Sequence, residues 1–139
     1  MLSFIQNSMN DTLTDNDSLK QIDMQEHRIS STDALHHLSQ QSAEFATLFE
    51  HGTLSVEIYK PDSVDRQQPH ERDEIYVVIA GKGDFYNDGK TAPFAPGDFL
   101  FVPAGVEHHF LNFTQDFATW VFFYGPSVGE LPKKPGTES

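Results

Sequence analysis

The stretch GDFLFVPAGVEHHFLN, residues 97–112, contains two short apolar runs separated by Pro103-Ala104-Gly105. Proline and glycine suit a tight turn, because one presets a backbone angle and the other tolerates the left-handed conformation. Alternate residues of a strand share a face, so His108, Phe110 and Asn112 are expected on one side of the second run. An aromatic ring and an amide are suitable neighbours for a histidine in a partly polar pocket. We therefore expect two β-strands here, with these three side chains lining an interior.

Similar short runs recur from residue 44 to residue 124, and turn residues such as Asn87-Asp88-Gly89 and Pro96-Gly97 separate them. About eight strands with no helix between them are typical of a closed antiparallel barrel or jelly roll. The strand count alone leaves a β-sandwich of the immunoglobulin type as the alternative. The fold class predicted from the residues is therefore all-β.

The two ends of the chain differ from this central region. Residues 1 to about 28 are polar with few large apolar side chains, which predicts a flexible N-terminal arm. The sequence ISSTDALHHLSQQ, residues 29–41, predicts a short helix capped by a serine. The expected organisation is an acidic N-terminal arm with a short helix over residues 1–43, a barrel over 44–124 and a C-terminal tail over 125–139.

Composition limits the possible partners and ligands. The chain has 9 lysine and arginine residues against 21 aspartate and glutamate residues, a net charge of −12 that disfavours nucleic acid and anionic membrane surfaces. There is no cysteine, so a metal would have to be held by imidazole, carboxylate or amide groups. No apolar run approaches the roughly 20 residues that span a bilayer. A cytoplasmic protein is expected.

The stretch QQPHERDEIYVVIAGKG, residues 67–83, contains the other candidate site residues. If its backbone is extended, Gln68, His70 and Glu74 share one face, and Tyr76 continues that face into the following strand. A carboxylate at the mouth of a buried strand is costly unless a cation accompanies it. The residues alone allow that cation to be a metal, a nearby arginine or a protonated histidine.

Taken together, these two stretches resemble the motifs of a small single-domain cupin. Members of that superfamily have a first motif of two histidines, a glutamate and a glycine, and a second motif of glycine, proline, glycine, histidine and asparagine. The matching residues are His70, Glu74 and Gly81 in the first motif, and Gly97, Pro103, Gly105, His108 and Asn112 in the second. The resemblance implies a cupin-type antiparallel jelly-roll barrel that holds a divalent metal ion: iron, manganese, nickel or zinc.

The chain departs from the family pattern at Gln68, which stands where the first histidine is usual. A glutamine carbonyl oxygen can ligate a metal, and the phosphomannose isomerase branch of the cupins is similar in using glutamine beside histidine. The expected metal ligands are therefore His70, Glu74 and His108, with Gln68 as the fourth. Two alternatives are a three-ligand site without Gln68, and a barrel that holds no metal.

The expected function is that of a metal-binding cupin acting on a small organic molecule. The reaction is either redox-neutral, as in an isomerase or epimerase, or a cleavage by dioxygen, and the motifs assign no catalytic residue. The alternative is a non-catalytic barrel that binds a small ligand, with or without metal. Strands that are apolar on both faces also predict a homodimer formed through the outer sheet.

Overall fold

The computed structural model describes residues 28–133. The predicted flexible arm lies outside these residues, apart from its last position. The chain divides into two compact units between Ser42 and Ala43. No helix in the described range is long and apolar enough to cross a membrane.

From residue 28 onward, the first unit contains one helix, α1, which spans Ser31–Ser39. Ser30 is its N-cap, because the Ser30 hydroxyl accepts a 3.0 Å hydrogen bond from the backbone N–H of Asp33. Ala34 and Leu38 are its buried residues, and their spacing of four places them on the same face. The short helix predicted from the sequence is present at this position.

The second unit consists of eight strands connected by turns and loops. They are β1 Phe45–His51, β2 Leu54–Tyr59, β3 Asp73–Ala80, β4 Gly83–Asn87, β5 Lys90–Phe94, β6 Phe99–Val102, β7 His108–Leu111 and β8 Ala118–Tyr124. One sheet has the order β1-β2-β8-β3-β6 and the other the order β5-β4-β7. All the pairings are antiparallel, which confirms the all-β prediction.

The core of this unit is rich in aromatic side chains. Its buried members are Tyr59, Tyr76, Val78, Phe85, Phe94, Val102, Phe110, Phe117 and Val121. Phe110 is central, since its ring lies 4.8 Å from Tyr76, 4.7 Å from Phe85 and 4.5 Å from Phe117, measured between ring centroids. These contacts join both sheets, because Tyr76 belongs to β3 while Phe85 and Phe110 belong to β4 and β7.

The outer face of the larger sheet carries two apolar rows. Cross-strand partners share a face, so one row contains Trp120, Val77 and Phe99. The second row contains Phe122, Ile75 and Phe101. Phe99 is 64% exposed and Phe101 is 40% exposed, which is unusual for large apolar side chains side by side.

The predicted homodimer stays a prediction, and this face offers a test of it. We expect Phe101→Glu to shift the protein from dimer to monomer in sedimentation velocity, because it places a charge within the apolar rows. Leu111→Glu is the matched control, since Leu111 is also 40% exposed but lies on the smaller sheet. A wild-type monomer, or equal behaviour of the two variants, would contradict a dimer formed through this face.

The residues after β8 are attached to the start of β3. The backbone N–H of Val128 donates to the carbonyl of Glu71 at 2.7 Å, and the Ser127 hydroxyl donates to the Glu71 carboxylate at 3.0 Å. The carboxylate of Asp73 accepts 2.9 Å hydrogen bonds from the backbone N–H groups of Ala104 and Glu130. The first residues of the predicted C-terminal tail therefore pack beside the segment that carries the candidate ligands.

Gly81, which closes the first motif, is required by both backbone conformation and space. Its φ is +90°, and a Cβ there would lie 2.5 Å from the Cα of Phe117. Gly97 has the same φ of +90°, but apart from its two chain neighbours no atom of the described residues lies within 4 Å of such a Cβ. Gly97→Ala should lower the free energy of unfolding by about 1 kcal/mol, the cost of the left-handed conformation.

Gly81→Ala should lower the free energy of unfolding by at least about 2 kcal/mol more than Gly97→Ala does, because the backbone must also move away from Phe117. Urea unfolding of the two variants without metal measures the difference. Equal unfolding midpoints of the two variants would contradict this expectation and show that the loop around Phe117 moves to accommodate the added methyl group.

Candidate metal site

Three candidate ligands meet at one end of the barrel. Glu74 is near the start of β3, His108 begins β7, and His70 lies in the segment between β2 and β3. The Nε2 atoms of His108 and His70 lie 3.2 Å and 3.8 Å from the Glu74 Oε1. One potential ligand atom from each of the three residues lies within 4.8 Å of the other two. The side chains of Glu74 and His108 are fully buried, whereas that of His70 is 33% exposed.

Strand alternation explains why these side chains face inward. In β3, Glu74, Tyr76 and Val78 are buried, and the residues between them are only partly so. In β7, His108 and Phe110 are buried. His109 points the other way, with its Nε2 atom 3.4 Å from the carboxylate of Glu107.

Hydrogen bonding sets the tautomer of His108. Its Nδ1 atom lies 2.9 Å from the carbonyl oxygen of Val106, and a carbonyl can only accept a hydrogen bond. Nδ1 must therefore carry a proton, which leaves the Nε2 lone pair of the neutral ring facing the Glu74 carboxylate. Within residues 28–133, neither carboxylate oxygen of Glu74 nor the Nε2 atom of His108 has a hydrogen-bond partner. Two acceptor groups thus face each other in a buried space.

The protonation preferences of the two histidines differ. Burial opposes protonation of His108, but the Glu74 carboxylate and the Val106 carbonyl outweigh it and raise the pKa of His108. Burial lowers the pKa of His70, and the charge of Glu74 offsets only part of that effect. The buried carboxylate therefore favours a positive charge beside it, which either a proton on His108 or a metal ion supplies.

The donor set fits a divalent first-row metal. Two imidazole nitrogens and a carboxylate are ligands for iron, manganese, nickel and zinc, and Glu74 supplies the negative charge that retains the ion. Donor atoms bound to one such ion lie about 3.0–3.4 Å apart when metal–ligand distances are near 2.1 Å. The 3.2 Å separation of the His108 and Glu74 donors lies within this range, and the 3.8 Å separation for His70 is slightly wider.

Gln68 does not join this cluster in the structure, because its side chain is exposed. The neighbouring Gln67 approaches the site instead. Its Oε1 atom lies 3.3 Å from the His70 Nε2 and accepts a 2.9 Å hydrogen bond from the Tyr76 hydroxyl. Residues 65–72 form no strand, so the alternation that selected Gln68 in the sequence does not apply to them.

The three residues predicted to line the pocket have different environments. The ring of Tyr76 packs in the aromatic core while its hydroxyl reaches Gln67. Phe110 is buried in the centre of the core. Asn112 is exposed, because β7 ends at Leu111 and Asn112 has a φ of +53°. Its amide donates a 3.2 Å hydrogen bond to Asp84, away from the interior.

A cavity of about 420 Å³ adjoins the cluster at His70. It is lined by Glu44, Phe45, Glu57, Tyr59, Arg66, Gln67, His70, Val121 and Phe123. The wall thus combines aromatic and aliphatic surface with two carboxylates and a guanidinium group. Glu57, which the motifs did not indicate, lies on β2 and faces this cavity.

Comparison with known proteins agrees with this architecture. Residues 55–124 match the sequence profile of the cupin domain family. The chain belongs to the cupin domain family. An uncharacterised protein of Streptomyces coelicolor is 36% identical to this cupin over 75 residues, which make up 52% of this chain and 71% of the relative. The cupin-type jelly roll predicted from the two motifs is therefore confirmed.

Solved structures show the same barrel. A cupin-2 domain containing protein from Shewanella frigidimarina is 17% identical with a TM-score of 0.58, and the match covers 74% of this cupin and 100% of that chain. The DMSP lyase DddQ from Ruegeria pomeroyi is 25% identical with a TM-score of 0.50, over 58% of this cupin and 46% of the lyase. This cupin therefore matches less than half of the length of the lyase.

The adjacent histidines of β7 provide a direct test of the site. A divalent ion at about 100 times its dissociation constant should raise the free energy of unfolding of the wild type by about 2.7 kcal/mol. His108→Ala should abolish this gain because it removes a buried ligand, whereas His109→Ala should retain it. Thermal unfolding with and without Mn²⁺, Ni²⁺ or Zn²⁺ measures the effect. The same gain in both variants would exclude His108 as a ligand.

Proposed function

We propose that this cupin is a metal-dependent enzyme that acts on a small organic molecule held in the cavity beside His70. The observation that carries the proposal is the Glu74 carboxylate, which is fully buried, accepts no hydrogen bond from the described residues while His108 is neutral, and faces two imidazole rings. Removing water from a carboxylate in this way costs several kcal/mol unless a cation accompanies it. A divalent ion bound by His70, Glu74 and His108 supplies that charge.

The position of His70 connects the metal site to the substrate cavity. His70 is the partly exposed member of the cluster and also lines the cavity, so a molecule in the cavity would approach the ion from this side. When bound, the ion would act as a Lewis acid on a carbonyl or hydroxyl oxygen of that molecule. Val121 and Phe123 give this part of the wall an apolar surface that excludes water.

Glu57 is a candidate for proton transfer on the same wall. Burial raises the pKa of Glu57, and the 3.3 Å hydrogen bond from the Thr47 hydroxyl opposes only part of the shift. A carboxyl group that lines a cavity and has a raised pKa is suited to exchange protons with a molecule bound there. This chemistry favours a redox-neutral reaction such as isomerisation, epimerisation or elimination. The similarity to a DMSP lyase supports an enzyme of this general kind and does not identify the substrate.

Metal analysis tests the proposal and separates the reaction classes. The full chain, purified without added metal, should contain about one equivalent of a divalent ion by mass spectrometry, and His70→Ala and His108→Ala should lose it. Manganese, nickel or zinc would support the redox-neutral reaction, whereas iron would favour chemistry with dioxygen. A wild type that stays empty after challenge with all four metals would overturn the metalloenzyme proposal.

The competing function is that of a barrel that binds a ligand without converting it. A Glu57→Gln variant distinguishes this non-catalytic barrel from the proposed enzyme. Metal-loaded protein is incubated with a panel of hydroxy acids, keto acids and sugars, and products are detected by NMR. The enzyme proposal would be supported if the wild type converts a compound of the panel, and if Glu57→Gln keeps its metal but converts that compound about 100-fold more slowly. Binding without conversion across the panel would support the non-catalytic barrel.

A further inference from the structure

The side-chain amide of Gln67 is held between a buried carboxylate and the candidate metal site. Its Nε2 atom donates a 2.9 Å hydrogen bond to the Oδ2 of Asp65. Its Oε1 atom accepts a 2.9 Å hydrogen bond from the Tyr76 hydroxyl and lies 3.3 Å from the His70 Nε2. The amide therefore spans the distance from Asp65 to the ligand cluster.

Asp65 is buried and receives four hydrogen bonds. Its Oδ1 accepts from the Tyr59 hydroxyl at 2.6 Å and from the backbone N–H of Gln67 at 3.0 Å. Its Oδ2 accepts from the Gln67 Nε2 at 2.9 Å and from the backbone N–H of Phe110 at 2.9 Å. These donors come from β2, β7 and the segment before β3, so the carboxylate holds that segment in place.

This arrangement determines which way the Gln67 amide points. An ionised carboxylate only accepts hydrogen bonds, so the NH₂ group of the amide must face Asp65 and the carbonyl oxygen must face the site. The reverse orientation would place two oxygen acceptors against each other. It would also put the NH₂ group against the hydroxyl proton that Tyr76 now donates.

We propose that the carbonyl oxygen of Gln67, rather than that of Gln68, is the fourth protein ligand of the metal and that Asp65 positions it. The inference rests on the proposed function, because it assumes an ion held by His70, Glu74 and His108. The 3.3 Å separation of the Gln67 and His70 donor atoms resembles the 3.2 Å separation of the Glu74 and His108 donors. The two lone pairs of this carbonyl oxygen face the Tyr76 hydroxyl and the His70 Nε2–H, and the second lone pair becomes free for the ion when His70 gives up that proton to bind the ion through Nε2.

A fourth neutral ligand has consequences for the ion. Glutamine adds a hard oxygen donor without adding charge, so Glu74 remains the only charged ligand and the ion keeps a net positive charge for polarising a substrate. The ligand comes from the same wall as the cavity, since Gln67 and His70 both line it. Substrate would therefore reach the ion beside these two residues.

The two adjacent glutamines form a matched pair for the test. Binding of Ni²⁺ and Co²⁺ to the full chain is measured by calorimetry, and the visible absorption spectrum of the Co²⁺ protein reports its coordination. Gln67→Ala should weaken binding by at least about tenfold and change the Co²⁺ spectrum. Gln68→Ala should match the wild type in both measurements. Equal behaviour of the two variants, or loss of binding only in Gln68→Ala, would overturn the proposal.

Asp65 is tested as a positioning residue. Asp65→Asn lets the amide of Gln67 reverse, because an asparagine NH₂ can donate to the Gln67 oxygen, so Co²⁺ affinity should fall by about tenfold with a changed spectrum. Tyr59→Phe is the control, since it removes a hydrogen bond to the other oxygen of the same carboxylate and leaves the Oδ2 that holds the Gln67 amide unchanged. It should lower stability yet leave the Co²⁺ spectrum unchanged. An unchanged spectrum in folded Asp65→Asn would overturn the positioning role.

The failure of this inference is distinguishable from failure of the proposed function. A wild type that binds neither ion overturns both. A wild type that binds Co²⁺, loses it in His108→Ala and keeps full affinity in Gln67→Ala overturns the fourth ligand alone. If Asp65→Asn does not fold, the pair Gln67→Ala and Gln68→Ala still decides which glutamine binds the ion.

Discussion

The buried carboxylate of Glu74 is the constraint on which the interior of this barrel depends. It lies on a central strand of the larger sheet, fully shielded from water, and receives no hydrogen bond from the described residues. An isolated buried charge is costly, so the surroundings must supply a cation. Two histidines present nitrogen atoms to it at 3.2 Å and 3.8 Å, and the tautomer of His108 is set by a backbone carbonyl. These features give the barrel a candidate cation site in an otherwise largely apolar core.

Two aspartates hold the backbone around this site. Asp65 satisfies its four lone pairs with donors from β2, β7 and the segment that carries His70. Asp73 joins the start of β3 to the loop after β6 and to the residues after β8. Both carboxylates are buried, and each of their oxygen atoms accepts at least one hydrogen bond, in contrast to the oxygen atoms of Glu74. The acidic side chains inside this cupin therefore divide into those that position the backbone and one that is left free to bind an ion.

The cavity beside His70 is where the proposed substrate would meet the candidate metal site. His70 belongs to both the cluster and the cavity wall, and Glu57 contributes a carboxyl group whose pKa is raised by burial. The aromatic core lies behind the cluster, with the ring of Tyr76 packed against Phe85 and Phe110. A rigid apolar core on one side and a partly polar cavity on the other keep the ligands in place while leaving one direction of approach open.

The sequence by itself determined the barrel and the inward positions of Glu74 and His108. Strands alternate their side chains with a period of two, so that within β3 and β7 the face of a residue follows from its place in the run. The same rule failed where no strand exists. Residues 65–72 are irregular, so Gln67 faces the cluster and Gln68 faces solvent, and β7 ends before Asn112. The role of Asp65 could not be predicted from the sequence either, because its hydrogen bond to the backbone of Phe110 joins residues far apart in the chain. Local periodicity thus specified the two candidate ligands on strands. Only tertiary structure decided which glutamine stands beside them, since no local rule governs an irregular segment held by distant contacts.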